Sequence, residues 1–332
     1  MAEGVGAAPG VQVEGRMVPF PKSISPEARA AMAMLVGPNG EPRDRGPTLA
    51  ADDFEGWAKA KAQTNAFMMQ MMRPRTGALK SSVETIDLNG AVVHFATPQD
   101  AGPDDCAYYD IHGGALVHGA GEPCKMGAQI AADQFGVRCY SVDYRMPPEH
   151  PYPTPLDDCV AGYRALLDRY APQKIVVGGA SAGGNLAAAL MLRARDEGLP
   201  LPAGVVLRTP ELDLTESGDT FETNRLIDVM LPFPLMATNL VYAAGHDLAD
   251  PYLSPLFGDF AKGYPPTFLQ AGTRDLFLSN TVRMHRSLLR AKVPVELHIF
   301  EGMPHGGFLG APEDAELIAE MRRFVTERLG LA

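Results

Sequence analysis

The chain has 332 residues, 46% hydrophobic, 21% charged and 8% aromatic, a composition that fits a globular protein and excludes collagen and wholesale disorder. Its formal charge of −11, from 40 acidic against 29 basic residues, argues against nucleic acid or anionic membrane as a partner, because both need clustered Lys and Arg. Four cysteines (Cys106, Cys124, Cys139, Cys159) contain no CxxC pair, so neither a zinc site nor a disulfide framework is written here, and buried free thiols are expected.

Residues 1–10 lack the positive flank and apolar run of a signal peptide. No stretch approaches the ~20 apolar residues of a membrane span. The expectation is a soluble, cytoplasmic protein. Up to about residue 80 no strand pattern occurs, while residues 26–36 and 52–72 carry the Ala, Leu, Met and charged residues of helices. From Val83 the pattern changes. Val83, Ile86 and Leu88 lead to Asn89-Gly90, and Val92, Val93 and Phe95 follow, which reads as two strands joined at a tight turn.

Strands and helices then alternate. Runs at 107–111, 137–142, 175–177, 205–207, 268–271 and 295–300 are short, rich in Val, Ile, Tyr and Phe, and expected to be strands buried on both faces. Segments at 126–135, 155–170, 183–197, 280–291 and 312–329 repeat apolar residues at three and four positions, as amphipathic helices do. Repeated βα units predict a mostly parallel sheet covered by helices. Residues 215–245 interrupt the rhythm with a polar, Met-rich and Pro-containing stretch, placed to form part of a lid over the C-terminal edge of the sheet.

The sharpest local signal is Val176-Val177-Gly178-Gly179-Ala180-Ser181-Ala182-Gly183-Gly184-Asn185, an apolar strand running through G-x-S-x-G into an Ala-rich helix. So tight a turn needs small flanking residues, holds Ser181 in strained geometry and exposes its hydroxyl above the strand ends, near a helix N-terminus. A Gly-rich phosphate loop is the competing reading. The Lys-Ser/Thr of a P-loop and the spacing of a dinucleotide fingerprint are both missing. Upstream, His112-Gly113-Gly114-Ala115 follows a strand and leaves backbone N–H groups uncovered. With the N–H of Ala182, such donors can hold the negative oxygen of an attacked carbonyl.

A serine nucleophile needs a base and the base an orienting acid. Of eight histidines, His94, His298 and His285 fall within regular elements, and His118, His150 and His246 suit local hydrogen bonding. His305 lies in the loop after the last strand, where a site belongs in such a sheet. For the acid, Asp275 follows the preceding strand, with Asp213 and Asp250 as rivals. The order Ser181, Asp275, His305 is the one expected of α/β-hydrolases.

On these motifs the sequence resembles the hormone-sensitive-lipase-like (family IV type) esterases of the α/β-hydrolase superfamily, from about Val83 to the C-terminus. Asp143-Tyr144-Arg145-Met146-Pro147-Pro148-Glu149-His150-Pro151-Tyr152-Pro153, Ser254-Pro255-Leu256 and Met303-Pro304-His305-Gly306 are similar to stretches of that family. The chain departs from it at Ala180, where Asp or Thr is usual, at Ala115, and at His118-Gly119-Ala120-Gly121. The resemblance implies an eight-stranded, mostly parallel α/β-hydrolase sheet over residues 81–332. An N-terminal helical cap segment would occupy 1–80 and a second cap segment 215–245. Ser181 would be the nucleophile, His305 the base, Asp275 its partner, and Gly113, Gly114 and Ala182 the oxyanion donors. His112 and the Asp143 to Pro153 segment would be structural, the latter bracing the loops under the site. Met68 and Met72 would line the substrate pocket. No cofactor or metal is implied. The expected substrate is a small to medium apolar ester, with a lactone as the nearest alternative and a non-catalytic hydrolase-shaped receptor or a peptidase further off. A homodimer through the last strand or its neighbouring helix is a family-based expectation.

Overall fold

A computed structural model describes residues 11, 13, 15–42, 48–76, 79–88, 91–102 and 104–331. The expected Asn89-Gly90 turn lies outside them. Two helices come first, α1 (Pro26–Ala33) and α2 (Phe54–Thr76). Ser25 caps α1, its Oγ accepting from Ala28 N at 3.0 Å, and Pro26 sits in the first turn, where no N–H is missed. Ser25 is in turn held by Glu313 of the last helix, which accepts from its N–H at 2.7 Å and from its hydroxyl at 2.9 Å.

The antiparallel pair β1 (Ser82–Leu88) and β2 (Ala91–Thr97) leads into β3 (Ala107–Ile111), α3 (Glu122–Phe135), β4 (Arg138–Asp143), α4 (Thr154–Leu167), β5 (Ile175–Ala180), α5 (Ala182–Asp196) and β6 (Gly204–Arg208). The insertion contains α6 (Thr220–Thr223) and α7 (Met236–Ala243). The chain finishes with β7 (Thr267–Gly272), α8 (Leu278–Arg290), β8 (Val295–Phe300) and α9 (Pro312–Leu329). The eight strands form one sheet in the order β1-β2-β4-β3-β5-β6-β7-β8. Among the described residues only β1–β2 and β2–β4 pair antiparallel.

Alternation along the strands divides the core in two. Tyr109, Ile111, Val177, Leu207 and Leu269 pack under α4, α5 and α8, while Tyr108, Val176, Val206 and Phe268 pack under α1, α3 and α9. Phe268 lies between the rings of His298 and Phe324, at 4.1 and 5.6 Å. Truncating a side chain so enclosed costs about 3–5 kcal/mol. β3, β5, β6 and β7 are covered on both faces as expected, but β8 is not. Among the described residues it is an edge strand paired only with β7, its residues are half-buried at best, and Ile299 is 39% exposed. The four cysteines are buried free thiols.

Candidate active site

β5 lies mid-sheet between β3 and β6, and its last residue, Ala180, delivers the chain into a turn where Ser181 adopts φ 56° and ψ −123°. That region costs a non-glycine residue about 1–3 kcal/mol, so the neighbours must hold it. Ser181 N–H donates to Arg208 O at 2.9 Å, and its own carbonyl accepts from the N–H groups of Asn185 and Glu211 at 3.1 and 3.2 Å. Gly183 lies so close to the carbonyl of Ile111 that a Cβ there would collide with it. The smallness of the G-x-S-x-G flank is thus a packing requirement that brings β3 and α5 together.

His305 lies in the loop after β8 and Asp275 in the loop after β7. Ser181 Oγ and His305 Nε2 are 2.9 Å apart, and His305 Nδ1 and Asp275 Oδ1 are 3.1 Å apart. Asp275 is fully buried, its Oδ1 also accepts from Phe277 N–H at 2.9 Å, and the Phe277 ring meets the imidazole edge-on at 5.0 Å. Burial works against a charged His305. The Asp275 carboxylate, its hydrogen bond and two further acids, Asp228 and Glu211, outweigh it and raise the imidazole above its usual value of 6.5.

Asp228, from the insertion, was not anticipated. Its buried carboxylate accepts from Met230 N–H and Leu231 N–H, from Leu276 N–H in the Asp275 loop at 2.9 Å, and from His305 N–H at 3.2 Å. One side chain therefore ties the insertion to the two loops that carry Asp275 and His305. Burial, followed by the nearby Asp275 charge, pushes the Asp228 carboxyl up to about 7.

The His112-Gly113-Gly114 loop leaves β3 beside β5, with Ile111 opposite Gly179, and lies against Ser181. Gly114 has φ +131°, and a Cβ there would strike the His118 carbonyl. The His112 ring stacks on Tyr144 at 4.1 Å, its Nδ1 donates to Gly113 O at 2.9 Å, and Tyr144 donates its hydroxyl proton to His112 O at 3.0 Å. The Asp143 to Pro153 segment braces this region further through Arg145, whose guanidinium grips Asp158 at 2.7 and 3.0 Å. From α2, Asn65 accepts from Gly119 N–H at 2.9 Å, pinning the helix over the loop.

Two cavities open around this loop. One of about 660 Å³ lies between Trp57 of α2, Leu235 and Thr238 of the insertion, and Ala115 and His118. Burial drives the His118 imidazole down to about 4, which keeps it neutral. The second, of about 180 Å³, is where Met68 and Met72 are found, together with Gly113, Ala180 and Arg208. Asp213 is brought elsewhere: it accepts from Thr215, Ser217 and Arg283, and Asp250 accepts from Tyr252 N–H at 2.8 Å as a turn former does. His94 is placed between Thr85 and Asp143, and His298 between Glu296 and Glu320.

Among the described residues, two groups bring three metal-ligating atoms within 4.8 Å of one another: His112 with Cys124 and Asp143, and Asp228 with Asp275 and His305. The second set is already engaged in the bonds above. In the first, burial raises the Cys124 thiol well above its usual range, against the thiolate a metal needs.

A family model described as alpha/beta hydrolase fold matches residues 108–309. The chain belongs to this family. It is 31% identical over 224 residues to an esterase of Acinetobacter venetianus, covering 66% of this chain and 74% of that one. To an acetyl-hydrolase of Streptomyces hygroscopicus it is 32% identical over 197 residues, 59% of this chain and 66% of the other. Among solved structures, esterase E25 superposes with a TM-score of 0.85 at 35% identity, covering 96% of this chain and 98% of that one. An esterase from the bacterial hormone-sensitive lipase family gives 0.78 at 27%, covering 92% and 99%. This α/β-hydrolase is therefore a carboxylic ester hydrolase of the hormone-sensitive-lipase-like branch. Among its described residues no helix is long and apolar enough to cross a membrane.

Proposed function

We propose that the protein is a serine carboxylesterase that hydrolyses small to medium esters with an apolar limb through an acyl-enzyme. The observation that carries this reading is the unbroken chain of contacts from Asp275 through His305 to Ser181, 3.1 and 2.9 Å, at the C-terminal edge of the sheet. Ser181 Oγ attacks the ester carbonyl while His305 Nε2 takes its proton. The oxygen that becomes negative is held by the N–H groups of Gly113, Gly114 and Ala182, each such donor being worth about 3–4 kcal/mol of transition-state stabilisation. The imidazolium then protonates the departing alcohol, and a water repeats the sequence to release the acid. Asp275 keeps the proton on Nδ1 throughout, so that Nε2 faces the serine as a base.

Residues 1–80 and 215–245 act on this reading as two parts of one cap over a catalytic domain of residues 81–332. The support is the 660 Å³ cavity, to which α2 and the insertion both contribute walls directly over the oxyanion loop. Its Trp57, Leu49 and Leu235 lining suits the apolar limb of the substrate. The test is hydrolysis of p-nitrophenyl esters from acetate to long-chain acyl groups, with Ser181→Ala as the blank. Turnover should peak at short or medium chains and fall by at least about 10³-fold in the variant. Hydrolysis that is independent of Ser181 at every chain length would overturn the reading.

A further inference from the structure

We propose that the smaller cavity recognises a carboxylate on the ester substrate, with Arg208 as its counter-ion. This deepens the esterase reading and rests on it. Arg208 ends β6 directly opposite Ala180 in the parallel register, so both side chains leave the same face of the sheet. Between them and α2 and α3 lies a space of about 180 Å³, bounded by Met72, Asp110, Gly113, Gln134, Ala180 and Arg208. Ala180 precedes the nucleophile and Gly113 is a proposed oxyanion donor. Whatever fills this space therefore lies beside the reacting carbonyl.

The guanidinium is the unexplained group. Its Nε is buried without a partner, and among the described residues no hydrogen bond or ion pair reaches the side chain. Asp110, which lines the same space, makes no hydrogen bond to it. That carboxyl accepts from Ser141 Oγ at 2.8 Å, and burial pushes it up to about 6, with the Ser141 bond and the Arg208 charge only partly opposing. A half-buried arginine whose buried Nε has no hydrogen-bond partner is expensive to keep, and its flat fork matches a carboxylate with two parallel hydrogen bonds. A volume of 180 Å³ is about six times the ~30 Å³ share of a liquid water. That is room for two methylenes and a carboxylate. The methyl of Ala180 keeps the space open, where a longer side chain would fill it.

The experiment compares esters with their neutral isosteres by acid release in a pH-stat. On the acyl limb the pair is monomethyl succinate against methyl 4-methylpentanoate, and on the alcohol limb 3-acetoxypropanoate against 3-methylbutyl acetate. The readout is the ratio of kcat/KM within each pair, so a general loss of activity in a variant cancels. In the wild-type protein one pair should favour the carboxylate, which also identifies the limb. That ratio should fall about tenfold or more in Arg208→Gln, the worth of a charged hydrogen bond, and survive in part in Arg208→Lys. Ala180→Asp, which places a carboxylate beside the guanidinium, should abolish it even if Arg208→Gln does not fold. Neutral esters turned over while both carboxylates are rejected, or a preference that ignores Arg208→Gln and Ala180→Asp alike, would overturn the proposal and leave the esterase reading standing. Failure of all four esters would remove both.

Discussion

Glu211 offers a quantitative check on the electrostatics behind Ser181. It lies three residues beyond β6, is fully buried, and neither carboxyl oxygen has a partner in hydrogen-bonding geometry. Burial pushes the carboxyl from 4.5 up to about 8, the Asn239 amide and His305 opposing the rise and Glu216 and Asp213 adding to it. Between these two values the unfolded chain has released the proton while the folded chain keeps it. Unfolding therefore gains as pH climbs from 4.5 to about 8, and the effect vanishes below 4.5. At about 1.4 kcal/mol per pH unit the ceiling is about 5 kcal/mol, and local relaxation should leave roughly half of that. Glutamine has no proton to lose. Glu211→Gln should match the wild-type melting temperature at pH 5 and exceed it by several degrees at pH 8. Thermal unfolding across that range decides the matter: a difference that stays constant or shrinks with rising pH would refute the buried, proton-holding carboxyl.

Asp275→Asn should lower kcat by about 10⁴-fold through the wrong imidazole tautomer, whereas Asp213→Asn should cost stability and leave turnover of the folded protein largely intact. The reverse pattern would reassign the acid. Because protonated His305 cannot accept the Ser181 proton and its pKa is raised above 6.5, the acid limb of kcat/KM should inflect above that value. An inflection at or below 6.5 would contradict an imidazolium held by Asp275 against the effect of burial. Asp228→Asn removes the carboxyl that adds to Asp275 in raising the ring and leaves an amide group among backbone donors. The acid limb should move to lower pH and thermal stability should fall, and an unmoved limb would show that Asp228 acts on loop shape alone.

The strands and most helices were legible because the sheet interior imposes short runs of Val, Ile, Tyr and Phe between periodic segments. β3 and β8 begin and end where those runs do. The sequence reading erred where burial depends on neighbours. Val295 to Phe300 has a core-like composition, yet with β7 on one side only it is an edge. α3 begins at Glu122, four residues before the periodic stretch, because Pro123 suits a first turn and Gly136 closes the other end at φ 70°. Asp228 left no local trace, since its partners Leu276 and His305 are 48 and 77 residues away. Arg208 and Glu211 were equally silent. A charged residue at the end of a strand reads as solvated until the opposite face of the sheet is known.

The contrast between Asp275 and Asp213 shows what strand-end logic can and cannot decide. Both carboxylates follow parallel strands that are neighbours in the sheet, and both are buried. Chain order favours Asp275 only by analogy. The physical discriminator is lateral. His305 enters from β8, whose only neighbour among the described residues is β7, so the loop after β7 is the one that can flank the imidazole without crossing another strand. Asp213 leaves β6, one strand further in, and is taken up by two hydroxyls and the Arg283 guanidinium of α8. These partners hold its carboxyl below the usual range against the opposing effect of burial. A carboxylate so satisfied serves as an anchor for the start of the insertion. Asp275, with one oxygen shared between His305 and Phe277 and the other unbonded, has little to hold besides the imidazole. Sheet order thus places Asp275 and His305 side by side, and Asp228 reaches in from the insertion to fix the loops that carry them.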